Sequence, residues 1–250
     1  MAVFIFAGVY LLAACVYWVV TRLTVNDRAR AFKALSPGML PPLGILFALL
    51  VGFIAVEVWN NYDKAKLAVV SEASALRAVV LLAETFPEEQ KKRIHTLIDR
   101  HIEDATNKEW PAMAQQRATL STLRAHALIE ALQDVITQKP ADDSQRIAQP
   151  EMMKAIQAAL DARRQRIVVS QSAVGRIKWA GILLQGLCCL VAYAMVHSDN
   201  RLTSAITLTL FATGMALSLL LIAAYSRPFT GEISVKPDLL RQVLTSGAAP

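Results

Sequence analysis

Long uncharged runs alternate with charged, helix-patterned sequence along this chain. Four stretches of 18 to 25 residues contain no Lys, Arg, Asp or Glu: Met1–Thr21, Ala34–Val56, Trp179–Val196 and Leu202–Ser226. A helix rises about 1.5 Å per residue, so each stretch can cross roughly 30 Å of hydrocarbon. The pattern predicts an all-α integral membrane protein with four transmembrane helices and a helical domain inserted between spans two and three.

The polar middle of the chain also predicts helices, because its apolar residues recur at helical spacing. Span two should continue as one helix to about Glu84, since no Gly or Pro follows Val56 before Pro87. Further helices are expected at about 87–108, 113–137 and 150–176, with the last running into span three. We therefore divide the chain into 1–59 with spans one and two, a helical cytosolic domain at 60–177, spans three and four at 178–226, and a C-terminal tail at 227–250.

Two of these helices have a predicted core-facing side. The first should bury Ile94, Leu97, Ile98 and Ile102. The second should bury Leu120, Leu123, Leu128, Ile129, Leu132 and Ile136. Trp110-Pro111 is expected to end the helix at about 87–108, because a residue that precedes proline is pushed out of the helical region of backbone angles.

Composition agrees with a chain that is partly embedded in lipid. Its residues are 54% hydrophobic, and its mean hydropathy is +0.38. The formal net charge of +6 is carried mainly by segments beside the spans. Such a distribution favours contact with anionic lipid headgroups. We therefore expect the lipid bilayer as a partner and no nucleic acid.

The orientation of the spans rests on the Lys and Arg residues beside them. The short first connector holds Arg22, Arg28, Arg30 and Lys33, which favours a cytoplasmic connector. The opposite topology places a larger set inside the cell: Lys64, Lys66, Arg163, Arg164, Arg166, Arg176, Lys178, Arg227, Lys236 and Arg241. The total number of Lys and Arg residues beside the spans favours cytosolic termini and a cytosolic middle domain. The basic residues of the short first connector favour the reverse topology, which therefore stays open.

The sequence carries no motif of a known catalytic or metal site. It contains no HExxH, no GxSxG and no glycine-rich phosphate loop. His95, His101 and His126 form no i, i+4 pair, and the adjacent Cys188 and Cys189 lack metal-ligand spacing. We therefore expect no enzyme activity, no catalytic residues, no metal and no cofactor.

Span two has the most regular pattern in the chain. Small residues stand four apart at Gly44, Ala48 and Gly52, beside a second ladder of Ile45, Leu49, Phe53 and Glu57. Small residues permit close helix packing in lipid. In a symmetric oligomer the small residues would contact neighbouring helices, and the second ladder would face an axis as three apolar rings and an acidic ring. Alternatively, both ladders pack against the other three spans and Glu57 lies at the headgroup level.

A basic cluster precedes span three at Arg163, Arg164 and Arg166. These arginines either contact the lipid surface or form ion pairs with Asp and Glu of the middle domain. A third interpretation is an electropositive vestibule that concentrates anions before a pore.

Five blocks of sequence carry a resemblance to a known family. They are Val56–Trp59, Ser71–Ala73, Glu109–Met113, Ala162–Arg166 and Arg227–Pro237. Through them the chain resembles a bacterial family of membrane proteins of unknown function that is called bestrophin-like. The blocks span nearly the whole chain, and the last is the most specific.

The family name points to bestrophins, which are pentameric chloride channels with four spans and a helical cytosolic domain between spans two and three. The resemblance implies that Ile45, Leu49 and Phe53 take the places of the three apolar rings of the bestrophin pore. It also implies a homo-oligomer, a pentamer by resemblance, that passes inorganic ions across a bacterial inner membrane. An acidic ring of Glu57 would disfavour anions, so cation permeation or a Glu57 turned away from the axis stays open.

The terminal block predicts a turn at Arg227-Pro228, a Phe229 that returns to the membrane interface, and a turn at Thr230-Gly231. Ile233 and Val235 alternate with polar residues, as in an extended segment that lies on a partner. We expect a tail that clasps the same or a neighbouring subunit, with a solvated tail as the alternative.

The favoured function is an oligomeric bestrophin-like ion channel in which span two lines a hydrophobic pore. The alternative is a non-conducting membrane scaffold or sensor whose helical domain binds a partner. Its basis is the expected continuous helix from span two into residues 60–84, which would transmit movement.

Overall fold

The computed structural model describes residues 1–23, 38, 40–198, 200–231 and 233–246. The regular secondary structure of these ranges is helical, and they contain no strand. Their α-helices are α1 (Ala2–Leu23), α2 (Leu40–Ala83), α3 (Glu88–Asp104), α4 (Trp110–Ala114), α5 (His126–Thr137), α6 (Asp143–Ser170), α7 (Arg176–Val196), α8 (Arg201–Tyr225) and α9 (Asp238–Ser246). A π-helical turn, Ala105–Glu109, joins α3 to α4.

One compact unit consists of Met1–Trp59 and Val174–Ser226, and we call it the membrane unit. Helices α1, α7 and α8 and the first part of α2 are long and apolar enough to cross a membrane, which confirms the four predicted spans. Helix α1 packs on α8 and α7, and α7 packs on α8. Their shared core includes the buried Val9, Ile54, Ile182, Leu190 and Met215.

The other unit consists of Asn60–Ala173 and Arg227–Pro250, and we call it the helical unit. Its core joins the second half of α2 to α3, α5, α6 and the C-terminal segment. The predicted inner face of α3 is confirmed, because Ile94, Leu97, Ile98 and Ile102 are all buried. Helix α2 continues unbroken to Ala83, one residue from the predicted end at Glu84.

The prediction that Trp110-Pro111 breaks the chain after the helix at about 87–108 is wrong. The π-helical turn carries the chain past this point, and the Trp110 N–H donates to the carbonyl of Ala105 five residues earlier. Pro111 lies in the first turn of α4, where a missing N–H is tolerated. A π-helical turn, wider than an α-helical one, therefore stands where the proline predicted a helix end.

The predicted helix at 113–137 forms only from His126 onward. Gln116 adopts a positive φ of 56°, and the Thr119 and Thr122 side chains hydrogen-bond to each other and to the local backbone. Such local bonds compete with a helical ladder. The core-facing side of this helix also differs from the prediction: Leu128 is buried, but Ile129 and Ile136 are exposed.

Helix α6 begins earlier and ends sooner than predicted. The side chain of Asp142 caps it by accepting a hydrogen bond from the Gln145 N–H, and Pro150 lies inside the helix. It ends at Ser170, and the backbone at Gly175 is extended before α7 starts. The prediction of one helix running into span three is therefore wrong.

Several predictions fall on residues outside the described ranges. Among the basic residues of the first connector, Arg28, Arg30 and Lys33 lie outside them, as does Glu232 of the terminal block. The start of the predicted second span, Ala34–Pro37 and Met39, lies outside as well.

Candidate functional site

Span two presents two different faces within the membrane unit. Phe47 and Ile54 are buried against the other spans. On the opposite side Ile45 is 59% exposed, Leu49 51% and Phe53 70%. Packing among the described residues of this unit therefore leaves the apolar ladder uncovered, one side chain per turn of helix.

The small-residue ladder is largely uncovered as well. Ala48 and Gly52 are exposed, and Gly44 is half-buried. A Cβ added at Gly52 would meet no described atom within 4 Å, whereas one at Gly44 would lie 3.9 Å from the Tyr193 hydroxyl. The described residues of the chain thus leave the surface at Gly52 open.

Glu57 forms an ion pair at the end of the ladder. Lys178, in the first turn of α7, donates from Nζ to both carboxylate oxygens of Glu57, at 2.5 and 2.6 Å. The two side chains are 43% and 45% exposed, so water reaches the pair. Two residues beyond Glu57, Trp59 packs edge-to-face with Tyr225, with the ring centroids 6.3 Å apart.

A buried network of charged side chains forms the centre of the helical unit. Arg166 is completely buried and donates from Nε to Glu72 Oε2 at 2.6 Å and from Nη2 to Glu72 Oε1 at 3.0 Å. The same Nη2 donates to Glu109 Oε2 at 2.8 Å. Arg163 donates from Nε to Glu109 Oε1 at 2.8 Å, and His101 Nε2 lies 3.0 Å from Glu72 Oε1. We call these five residues the charge network.

Each charge of the network is balanced by its neighbours. Burial by itself would raise the pKa of the Glu72 carboxyl, but the charge of Arg166 and the hydrogen bonds from His101 and Arg166 outweigh it and hold this pKa at about 2. Burial likewise opposes the charge of Arg166, while Glu72 and Glu109 raise its pKa. Glu72 and Arg166 therefore remain ionised together, which is the condition under which buried charges are tolerated.

Of the predicted basic cluster, one arginine has an exposed side chain. Arg164 pairs with Asp161 at 2.7 Å and is 61% exposed. Arg163 and Arg166 are buried at 4% and 0% exposure and form ion pairs with carboxylates of the same unit. Neither faces a lipid surface or a vestibule within this unit, because both are buried and their donors are directed to Glu72, Glu109, the Leu123 carbonyl and the Met113 sulfur.

Sequence reasoning missed Glu72, His101 and Glu109. A signal existed for Glu72, since it occupies the buried face of α2 four residues after Ala68 and four before Leu76. A charged residue at such a position predicts a buried partner of opposite sign. Nothing in the local sequence identified that partner, because Arg166 lies on another helix.

The C-terminal segment is attached to the helical unit beside the charge network. Arg166 stacks over the Trp110 ring at 4.7 Å from its centroid. Trp110 in turn donates from Nε1 to the Val235 carbonyl at 3.2 Å and meets Phe229 edge-on at 5.6 Å. Phe229 is buried here, so the expectation that it returns to the membrane interface is wrong.

Beyond Val235 the segment forms α9, which was not predicted. Leu240 and Val243 of α9 are buried in the core of the helical unit, and α9 packs on α3. The Thr230 hydroxyl also donates to the Ala114 carbonyl at 2.9 Å. The tail therefore clasps its own subunit, which confirms that form of the clasp hypothesis.

Metal ligands are not grouped in the described part of the chain. No cluster of three or more His, Cys, Asp or Glu with suitable geometry occurs among those residues. The described cysteines Cys15, Cys188 and Cys189 are free thiols.

A comparison with protein families matches residues 7–240 to the Bestrophin-like domain. The chain belongs to the bestrophin-like family. The match covers most of the sequence and agrees with the resemblance read from its five blocks. A comparison with curated proteins found no match.

Solved structures with the same fold include those of a bacterial bestrophin homologue from Klebsiella pneumoniae. One point mutant of it is 12% identical with a TM-score of 0.76, covering 98% of this chain and 97% of that chain. A second point mutant is 11% identical with a TM-score of 0.75, covering 99% of both chains. A structure determined by Zn-SAD phasing is 12% identical with a TM-score of 0.74, covering 99% of this chain and 97% of that chain. At these identities the likeness establishes the bestrophin fold.

Four of the five blocks that carry the bestrophin-like resemblance meet around the charge network. Ser71–Ala73 contributes Glu72, Glu109–Met113 contributes the carboxylate and the tryptophan, and Ala162–Arg166 contributes both arginines. Arg227–Pro237 supplies the segment that Trp110 holds. The fifth block, Val56–Trp59, contains the Glu57 of the ion pair with Lys178.

Proposed function

We propose that this bestrophin-like chain is one subunit of a homo-oligomeric ion channel in which span two lines a hydrophobic pore. The observation that carries the proposal is the exposed ladder of Ile45, Leu49 and Phe53. In an assembled ring these side chains would form three apolar constrictions one helical turn apart, and such constrictions gate ion flow by excluding water.

The assembly we propose follows from the same helix. Gly52 and Ala48 are exposed beside the ladder, so the span two of a neighbouring subunit can approach closely there. We propose a pentamer, as in the bestrophins that the chain resembles, with the lipid bilayer around it and inorganic ions passing through it. Glu57 would lie at one end of the apolar rings, and the helical unit would lie in the cytosol of a bacterial cell whose inner membrane holds the channel.

The channel is tested by recording purified protein in planar bilayers. Wild-type protein should pass current, and Phe53→Ala should raise the single-channel conductance, because a smaller ring widens the constriction. Phe4→Ala is the matched control, since Phe4 is also exposed, at 82%, but lies on span one. Silent bilayers containing correctly assembled wild-type protein would overturn the proposal.

A scaffold or sensor is the second candidate, and the observation that favours it is the length of α2. This helix runs for 44 residues from the membrane span into the helical unit. A continuous helix transmits displacement from one end to the other, because its backbone bonds resist local bending. Silent bilayers together with a partner that copurifies through the helical unit would favour this function.

A further inference from the structure

We propose that Lys178 sets the charge selectivity of the proposed pore by cancelling the charge of Glu57; this inference rests on the proposed channel function. Glu57 follows Phe53 by four residues, so it continues the ladder of Ile45, Leu49 and Phe53 at the end of span two. As a bare carboxylate it would give the end of an oligomeric pore an acidic ring. In this fold the carboxylate is not bare, because Lys178 binds both of its oxygens.

The few charged residues of the membrane unit give this ion pair a large share of the unit's charge. Among the described residues of that unit, Glu57 is the single acidic side chain, and the Lys and Arg residues are Arg22, Arg176, Lys178 and Arg201. Once Lys178 neutralises Glu57, the described part of the unit contributes no uncompensated negative charge to a permeating ion. Glu57 therefore does not exclude anions while the pair is intact.

The geometry of the pair explains how the cancellation works. Both Nζ–O distances are 2.6 Å or less, so the opposite charges form a compact dipole whose field falls off faster with distance than that of either charge alone. The pair is also nearly half exposed on both sides, which places it in reach of an ion in water. Its contribution to folding is small, as for other exposed ion pairs, so variants of either residue should fold.

The test is the reversal potential of single channels in a KCl gradient. Lys178→Met should raise the permeability of K⁺ relative to Cl⁻ by about fivefold, because it leaves one unbalanced carboxylate per subunit at the end of the proposed pore. Glu57→Gln should shift the ratio in the opposite direction. The double variant should return to the wild-type ratio, since neither charge remains.

Arg176→Met is the matched control, because it removes a positive charge two residues away on the same exposed turn and leaves the pair intact. A smaller shift than that of Lys178→Met supports the inference. An equal shift, or a Lys178→Met variant with wild-type selectivity, would overturn the role of Lys178 while the channel itself stands. If assembled wild-type protein carries no current, the channel proposal fails and the role of Lys178 fails with it.

Discussion

The charged side chains at the centre of the helical unit are buried, whereas the apolar ladder of span two is exposed. Arg166 has no exposed surface and three hydrogen bonds to carboxylates. Phe53 is 70% exposed and lies opposite the face that packs in the membrane unit. The buried charges are the reverse of what residue type alone leads one to expect, whereas an exposed apolar face is ordinary for a helix that crosses lipid.

The difference lies in where the partners of these side chains are found. The charge network is complete within one subunit, since each of its charges meets an opposite charge at hydrogen-bonding distance. The ladder of span two has no such complement among the described residues, so its partners are lipid or another subunit. Changes in the first region should therefore act on folding, and changes in the second should act on the assembly and conduction of the proposed channel.

The largest effect should come from Arg166→Met. This change leaves Glu72 buried without its main counter-charge and should lower the free energy of unfolding by about 3–5 kcal/mol. Thermal unfolding followed by near-UV circular dichroism in detergent measures it. Arg164→Met, three-fifths exposed and paired only with Asp161 among the described residues, should cost at most about 1 kcal/mol. Equal losses in both variants would contradict the distinction between the buried network and the surface.

Phe229→Ala should cost about 3 kcal/mol, because it opens a cavity beside Trp110 in the same unit. It should also release the terminal segment, so limited proteolysis should cleave beyond residue 230 sooner than in the wild type. Ile233→Ala serves as the control, since Ile233 is 44% exposed and should change neither stability nor cleavage rate appreciably. Unchanged cleavage in Phe229→Ala would show that α9 alone holds the tail.

Acid should weaken the helical unit through Glu72. Because the pKa of this carboxyl is about 2 in the folded protein and 4.5 ordinarily, its contribution is complete above about pH 4.5 and is lost as pH falls toward 2. Between pH 7 and pH 3.5 the loss should be about 1 kcal/mol, measured as a falling melting temperature. A constant melting temperature over this range would be inconsistent with an ionised, buried Glu72.

The smallest effect on folding should come from Gly52→Leu. A side chain at Gly52 meets open space in the described subunit, so the free energy of unfolding should change by less than about 0.5 kcal/mol. Assembly should nevertheless weaken, because the proposed helix contact at Gly52 would be blocked. Native mass spectrometry measures this, with Gly8→Leu on span one as a control that also meets open space. An intact oligomer in Gly52→Leu would place the subunit contact elsewhere.

The spans and the family could be predicted from the sequence, because both depend on local information. A run of apolar residues specifies a span by its length, as at Leu202–Ser226, and the terminal block is recognisable wherever it lies. Helix ends in the middle domain were less predictable. They depend on hydrogen bonds such as those between Thr119 and Thr122, which compete with the helix and leave no periodic signal.

The charge network could not be assembled from the sequence for a different reason. Its members lie on α2, α3, the π-turn and α6, so no spacing along the chain relates Glu72 to Arg166, 94 positions away. The ladder of span two was visible because it lies on one helix. What that ladder contacts in an oligomer remains a prediction, since it depends on surfaces from more than one chain.

The π-helical turn at Ala105–Glu109 has a consequence for the register of the chain. A π-turn holds one residue more than an α-helical turn does, so it behaves as a single-residue insertion that the helix absorbs without breaking. If the same residues were wound as a regular α-helix, everything beyond this turn would rotate by about 100° relative to α3. The carboxylate of Glu109 and the ring of Trp110 would then point away from Arg163 and Arg166. Deleting Asn107 should instead convert the π-turn into an ordinary α-turn and leave both residues facing the charge network.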